Sequence, residues 1–195
     1  MSGGGHATAR LFLAVDPPEP VRRELASWGR LAAAQTSAPL RVLPPEVLHI
    51  TLCFLGSRPV DEIDALAEVP GAGVTEVGEL SVGAPLWLPP RRPRNLAVEI
   101  HDEDGELEAL QRELVGALER TVAWEPGRRR FRAHLTVARV RGSEPVLAGA
   151  RGPQALPATP ALRFQPESVT LYRSFLEPSG ARYEALAGRP LGRMY

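Results

Sequence analysis

The chain of 195 residues contains no lysine, so all 23 of its basic residues are arginine. This absence excludes the mechanisms that need a lysine side chain. They are the phosphate-binding lysine of a P-loop, the Schiff-base lysine of a pyridoxal enzyme and the lysyl adduct of a nucleotide-activating ligase. Any phosphate chemistry in this protein must use other residue types.

Cysteine is almost absent as well, because Cys53 is the single one. An internal disulfide and a multi-cysteine zinc site are thereby excluded, which is typical of a protein from a reducing cytoplasm. Residues 1–9, MSGGGHATA, lack the apolar and basic regions of a signal peptide and are predicted to form a flexible tail. No apolar run is long enough to span a bilayer. We therefore expect a cytoplasmic monomer without membrane contacts, with residues 10–195 forming one domain.

Positive and negative charges balance, since the formal net charge is zero. The protein as a whole is not attracted to nucleic acid by bulk charge, so anion binding must come from a local patch. Between Pro126 and Ser143 there are six arginines and no acid, namely Arg128, Arg129, Arg130, Arg132, Arg139 and Arg141. A solvated loop in an arginine-biased chain would explain many of them. Arg132 and Arg139 are the better candidates for a ligand, because they lie at the two ends of a predicted strand.

Strand and helix patterns occur twice along the chain. In the first half, RLFLAV (10–15) predicts a strand, and residues 17–35 predict a helix whose buried face carries Val21, Leu25, Trp28 and Leu31. In the second half, NLAVEI (95–100) predicts a strand, and residues 104–121 predict a helix with a stripe formed by Leu107, Leu110, Leu114 and Leu118. The final segments, ESVTLYRSFLE and ARYEALAGRPL, predict a hairpin.

A histidine strand closes each half. HITL begins at His49, which lies 38 residues after Leu11, and HLTV begins at His134, which lies 38 residues after Leu96. The equal spacing indicates an internal duplication of a strand-helix-strand unit. Such units usually pack about a pseudo-twofold axis, so we expect the two histidines to face each other across one cleft.

Alternation along these strands places an imidazole and a hydroxyl together. Residues i and i+2 of a strand share a face, so His49 lies beside Thr51, and His134 lies beside Thr136. In the first strand Cys53 is expected on the same face, while Ile50, Leu52 and Phe54 are expected in the core. A single histidine in such a strand is as readily a structural residue bonded to backbone. Two in duplicated positions favour a functional pair.

Two imidazoles across a cleft suit concerted acid-base chemistry, in which one accepts a proton from a nucleophile and the other protonates a leaving group. A phosphodiester is the obvious substrate, because in-line displacement needs base and acid on opposite sides of phosphorus. The threonine hydroxyls would supply hydrogen bonds to the non-bridging oxygens.

Together, RLFLAV, HITLCFLG, FRAHLTVAR and LYRS resemble the two-histidine (2H) phosphoesterase superfamily, and specifically its RNA 2',3'-cyclic phosphodiesterases, also called bacterial and archaeal 2'-5' RNA ligases. The resemblance implies a two-lobed α+β fold in which duplicated β-α-β units contribute antiparallel sheets to a central cleft. It implies no metal and no cofactor. Ala133 and Cys53 depart from the residues usual at their positions in the family, which affects fine substrate preference and not the reaction.

Carried over position by position, the resemblance implies His49 as proton donor, His134 as proton acceptor, and Thr51 and Thr136 as phosphate ligands. The implied reaction is hydrolysis of RNA 2',3'-cyclic phosphates to 2'-phosphates, together with reversible ATP-independent 2'-5' ligation when a ribose 5'-hydroxyl replaces water. The expected partners are RNA ends or nucleoside 2',3'-cyclic phosphates, and Tyr172 or Trp87 could stack on a base or serve in the core.

Two other interpretations stay open at this point. The histidines could be metal ligands, although no HxxxH, HxH or cysteine pair supplies the remaining ligands. Alternatively the cleft could belong to a non-catalytic module that binds RNA ends or nucleotides.

Overall fold

The computed structural model describes residues 7–73, 76–127, 130–142, 156–177 and 180–192. Its strands are β1 (Thr8–Asp16), β2 (Leu40–Val42), β3 (Ile50–Pro59), β4 (Leu80–Leu88), β5 (Asn95–His101), β6 (His134–Val140), β7 (Arg163–Phe164), β8 (Ser168–Glu177) and β9 (Gly180–Pro190). Its α-helices are α1 (Glu19–Gln35), α2 (Ile63–Ala67) and α3 (Glu106–Thr121). Short 3₁₀ turns span Pro45–Val47, Val60–Glu62 and Val69–Ala72.

The two predicted strand-helix-strand units are β1-α1-β3 and β5-α3-β6, and in each unit the two strands pair antiparallel. Within the described ranges the strands form one sheet in the order β7-β4-β5-β6-β3-β1-β8-β9, with β2 added beside β6. The halves join where β3 and β6 meet, at the single pair Ile50–Leu135. This is the expected α+β architecture of two related lobes on antiparallel strands.

Helix α3 follows its predicted stripe, since Leu107, Leu110, Leu114 and Leu118 are all fully buried. It begins after Gly105, whose φ of 72° suits a residue without a Cβ. Helix α1 also buries Val21, Leu25 and Trp28, but the prediction for Leu31 is wrong, because its side chain is 49% exposed. Ala32 takes the fourth core position, where the helical period places the next residue of that face.

Strand β1 begins earlier than the sequence pattern indicated. Thr8 pairs with Pro59, and the Val60 amide donates to the Ala7 carbonyl, so residues 8 and 9 of the predicted tail belong to the sheet. Residues 1–6 lie outside the described part of the chain. Most of the loop predicted between residues 142 and 160 lies outside it as well.

Strand pairing shows the duplication more closely than counting residues does. The residues opposite the two threonines are Ala14 for Thr51 and Ala97 for Thr136. Counted from each alanine to the threonine opposite it, the separation is 37 residues in the first half and 39 in the second, rather than 38 in both. Register shifts in both ladders account for the difference, because each inserts a residue that the partner strand lacks.

Candidate active site

The two histidine motifs meet at the joint between the halves. Because Ile50 pairs with Leu135 in antiparallel register, the next residues on either side bring His49 next to Thr136 and Thr51 next to His134. Ile50 and Leu135 point into the core with no exposed surface. The motif side chains alternate to the other face, where all four line a cavity of about 910 Å³.

Both imidazoles are held in the same way. His49 Nδ1 lies 2.9 Å from the Val47 carbonyl oxygen, and His134 Nδ1 lies 2.8 Å from the Arg132 carbonyl oxygen. A carbonyl oxygen can only accept a hydrogen bond, so each Nδ1 carries a proton and donates it. Each Nε2 is therefore left to accept or release the proton that reactions in the cavity require.

The surroundings of the two rings differ. His49 packs against Phe12 at a centroid distance of 4.8 Å and against the edge of Tyr183 at 5.2 Å, and its Nε2 lies 3.1 Å from the Thr51 hydroxyl oxygen. Burial among these rings disfavours the charged imidazole and lowers the His49 pKa to about 4. In the free protein at neutral pH, His49 is therefore uncharged.

The cavity carries one sign of charge. Its lining includes Arg10, Arg130, Arg132 and Arg139, and among the residues that the structure describes no aspartate or glutamate contributes to it. In a neutral protein such a lining makes the cavity a candidate anion site. Arg128 and Arg129 lie outside the described residues.

The two arginines singled out in the sequence have different partners. Arg132 forms an ion pair with Glu99. Arg139 donates to the Tyr183 hydroxyl at 3.1 Å, and no carboxylate of the described ranges lies within ion-pair distance of it. Arg10, which sequence reasoning missed, is likewise free of a carboxylate partner there. The available sequence signal was its place next to Leu11 in a predicted strand, because neighbouring strand residues point to opposite faces and Leu11 is buried.

Neither aromatic residue suggested for base stacking lines the cavity. The Tyr172 hydroxyl donates to Asp16 at 2.8 Å, and Trp87 packs against the core with its Nε1 buried. The aromatic cavity wall comes instead from rings on other strands, among them Phe12, Phe54 and Tyr183.

Phe54 is the clearest correction to the strand prediction, because its side chain is 66% exposed rather than in the core. Register shifts in the β1–β3 ladder leave Leu52 and Leu55 without partners on β1. Each such extra residue reverses the alternation that follows it, which turns Phe54 toward the cavity mouth. No local sequence signal marks these positions.

In the described part of the chain, no three histidine, cysteine, aspartate or glutamate side chains come together as a metal site. Cys53 is buried, and burial raises its pKa to about 12, so the thiol is not a nucleophile. No helix of the described ranges is long and apolar enough to cross a membrane.

The different partners of the arginines lead to a binding test. Replacing Arg139 with glutamine is expected to weaken binding of a nucleoside 2'-monophosphate about tenfold or more, because a charge-assisted hydrogen bond is worth about 1.5–3 kcal/mol. The double variant Glu99→Gln/Arg132→Gln removes an ion pair without changing net charge and is expected to bind within about threefold of the parent. Calorimetric titration measures both, and equal losses would contradict the assignment.

Comparison with known proteins agrees with this geometry. A family model described as the 2'-5' RNA ligase superfamily matches residues 11–174. A protein of Thermus thermophilus named RNA 2',3'-cyclic phosphodiesterase is 32% identical over 194 residues, covering 91% of this chain and 87% of that protein. One of the same name from Archaeoglobus fulgidus is 30% identical over 143 residues, covering 71% and 77%.

Solved structures show the same fold. The crystal structure of a Thermus thermophilus protein superposes with a TM-score of 0.77 at 25% identity, covering 93% of this chain and 97% of that one. Escherichia coli LigT in complex with 3'-AMP superposes with a TM-score of 0.76 at 21% identity, covering 96% and 100%.

Proposed function

The chain belongs to the 2'-5' RNA ligase superfamily, and we propose that it hydrolyses RNA 2',3'-cyclic phosphates to 2'-phosphates by paired-histidine catalysis without a metal. The observation that carries the proposal is the cavity that His49 and His134 both line, each with Nδ1 held by a carbonyl oxygen, and to which no carboxylate of the described residues contributes. The relatives named RNA 2',3'-cyclic phosphodiesterase support the choice of substrate.

In the proposed reaction, His134 Nε2 accepts a proton from water as the water oxygen bonds to phosphorus. The bond from phosphorus to the 3' oxygen breaks, and His49 Nε2 gives its proton to that oxygen, leaving a 3'-hydroxyl and a 2'-phosphate. Base and acid must stand on opposite sides of phosphorus for in-line displacement. His49 and His134 lie on different strands, each one residue from the Ile50–Leu135 pair, and the proposal places phosphorus between their Nε2 atoms.

The non-bridging oxygens carry the charge that the site must stabilise. Thr51 and Thr136 supply hydroxyl donors beside the histidines, and Arg139 and Arg10 supply positive charge without a competing carboxylate. The exposed ring of Phe54 at the cavity mouth offers a surface for the terminal base.

Protonation of His49 depends on the bound anion. With a pKa of about 4 the free imidazole is neutral at pH 7, and a phosphate anion beside it raises the pKa toward the working range. With a ribose 5'-hydroxyl in place of water, the same base and acid would form a bond from phosphorus to the 5' oxygen and break the bond to the 3' oxygen, which gives a 2'-5' linkage and a 3'-hydroxyl. No nucleotide cofactor or lysine adduct enters that step.

The proposed substrate is an RNA end, and a monomeric state remains a prediction. A cytoplasmic location remains the prediction from cysteine content.

Incubation with nucleoside 2',3'-cyclic phosphates in EDTA tests the proposal. Full turnover without added metal is expected, because imidazoles carry out both proton transfers. Loss of turnover in EDTA that zinc or magnesium restores would favour a metal mechanism. Binding of nucleotides without turnover of any cyclic phosphate would favour the non-catalytic binding module.

A further inference from the structure

Each cavity histidine has a carboxylate on the neighbouring strand. Glu99 pairs directly with His134 in the β5–β6 ladder. The β1–β3 ladder ends one residue before Asp16 on one strand and one residue after His49 on the other. Side chains opposite each other on antiparallel strands share a face. The duplication has therefore placed Asp16 and Glu99 at equivalent positions beside the two histidines.

Asp16 is bound only by neutral groups. Its Oδ2 accepts from the Ser168 hydroxyl at 2.8 Å and from the Thr170 hydroxyl at 2.7 Å, and its Oδ1 accepts from Tyr172 at 2.8 Å. The carboxylate is 8% exposed, and no arginine of the described ranges forms an ion pair with it. Hydroxyl donors hold the carboxylate in place, and its negative charge is not balanced by an ion pair.

Glu99 is in the opposite situation, because its carboxylate forms an ion pair with Arg132. Arg132 lies two residues before His134, and its backbone carbonyl oxygen accepts the hydrogen bond from His134 Nδ1. His134 therefore faces a balanced pair of charges, whereas His49 faces an unbalanced carboxylate.

Charged groups around His49 act in both directions. Burial lowers its pKa most, the hydrogen bond to the Val47 carbonyl oxygen raises it, Asp16 raises it further, and Arg139 and His134 on β6 lower it. Two tyrosines also pack against the ring, Tyr172 from β8 and Tyr183 from β9. Both histidines have a carbonyl oxygen on Nδ1, so that contact does not distinguish them. Within the described ranges, Asp16 is the one carboxylate among the groups around His49, and it adds to the Val47 hydrogen bond in offsetting the cost of charging a buried imidazole.

Building on the proposed function, we propose that Asp16 is a positioning residue that makes His49 the proton donor, while the Arg132 ion pair cancels the same influence of Glu99 and leaves His134 as the base. The two carboxylates occupy equivalent strand positions, and the Arg132 ion pair at Glu99 has no counterpart among the contacts of Asp16. The assignment of His49 as acid and His134 as base then follows from which of the two carboxylates forms an ion pair.

Matched substitutions in the two halves test this inference. Asp16→Asn is expected to lower the His49 pKa and to reduce kcat about tenfold, the effect of roughly one pH unit on an acid that is mostly unprotonated. Binding of a nucleoside 2'-monophosphate is expected to be unchanged or tighter, because a negative charge leaves the neighbourhood of an anion site. Glu99→Gln is expected to leave the His49 titration unchanged. Histidine NMR titrations and steady-state kinetics measure these effects.

Two further variants separate charge from structural support. Thr170→Val and Tyr172→Phe each remove a hydroxyl donor to Asp16 and retain its charge, so His49 is expected to titrate as in the parent. If they reproduce the effects of Asp16→Asn, or if Asp16→Asn weakens nucleotide binding, Asp16 is only a structural support and the inference is overturned.

Arg132→Gln tests the other half, and it does so even if Asp16→Asn does not fold. Without its partner, Glu99 presents an unbalanced negative charge to His134, so kcat is expected to be lower than in Glu99→Gln/Arg132→Gln, which lacks both charges. Equal kcat in these two variants would contradict the inference. The outcome is separable from the proposed function. A parent protein without turnover defeats the function but leaves the titrations informative, whereas turnover with identical His49 titration in parent and Asp16→Asn defeats this inference alone.

Discussion

Replacing either His49 or His134 with alanine is expected to lower kcat for a nucleoside 2',3'-cyclic phosphate by about 10²–10⁴-fold, the usual contribution of a positioned acid or base. His134→Ala leaves water without a proton acceptor, and His49→Ala leaves the 3' oxygen without a proton donor. Both side chains line the same cavity. Because they act in one step, the double variant is expected to lose little more than either single variant.

His101→Ala is the matched control, since His101 is exposed at the end of β5 and does not line the described cavity wall. It is expected to retain parental kcat and KM. Thermal unfolding of each variant checks that activity is lost without loss of the fold. A His49 or His134 variant that folds and turns over at more than a tenth of the parental rate would contradict its catalytic role.

Replacing Thr51 with valine is expected to lower kcat about 10²-fold, the usual effect of removing one donor to a developing oxyanion. Valine retains the branched shape of threonine and loses the hydroxyl, which lies 3.1 Å from His49 Nε2 in the free protein. In the proposed reaction we expect that hydroxyl to turn to a phosphoryl oxygen and to leave Nε2 to the departing group. Thr136→Val is expected to have a similar effect from the other strand.

Thr51→Ser separates the hydroxyl from the methyl group of the same side chain. Serine retains the donor, so most of the activity is expected to remain, and steady-state kinetics on a cyclic phosphate compares the two variants. Equal losses in valine and serine would mean that Thr51 acts through packing rather than through its hydroxyl.

The elements that periodicity defines were the predictable part of the fold. The α3 stripe is buried as its spacing indicated, and the β8–β9 hairpin pairs over its whole described length. The motif positions of His49 and His134 follow from the same short-range alternation. Each histidine lies one residue from the Ile50–Leu135 pair that joins β3 and β6, so regular strand geometry brings both to a common cavity.

Features that depend on long-range pairing were not predictable in the same way. Phe54 reaches the cavity mouth only because register shifts with β1 reverse the alternation of β3. Arg132 was expected to hold phosphate, and it lines the cavity, but the sequence did not indicate that its guanidinium also forms an ion pair with Glu99, 33 positions away. Tyr172 was a stacking candidate by residue type, yet its hydroxyl donates to Asp16 on the neighbouring strand.

Asp16 and Glu99 illustrate why a duplicated sequence does not predict the roles of its two copies. Both carboxylates occupy equivalent strand positions, and a symmetric reading assigns neither histidine as acid. The partners differ because β8 supplies hydroxyls to one carboxylate, and the segment before β6 supplies an arginine to the other. These contacts come from elements outside the repeated pair of strands.

The product isomer tests the central claim most directly. An RNA oligonucleotide ending in a 2',3'-cyclic phosphate is incubated with the protein in EDTA, and ³¹P NMR identifies the phosphomonoester that forms. Protonation of the 3' oxygen by His49 predicts a terminal 2'-phosphate as the sole product. A 3'-phosphate, or a cyclic phosphate that persists unchanged, would contradict the account.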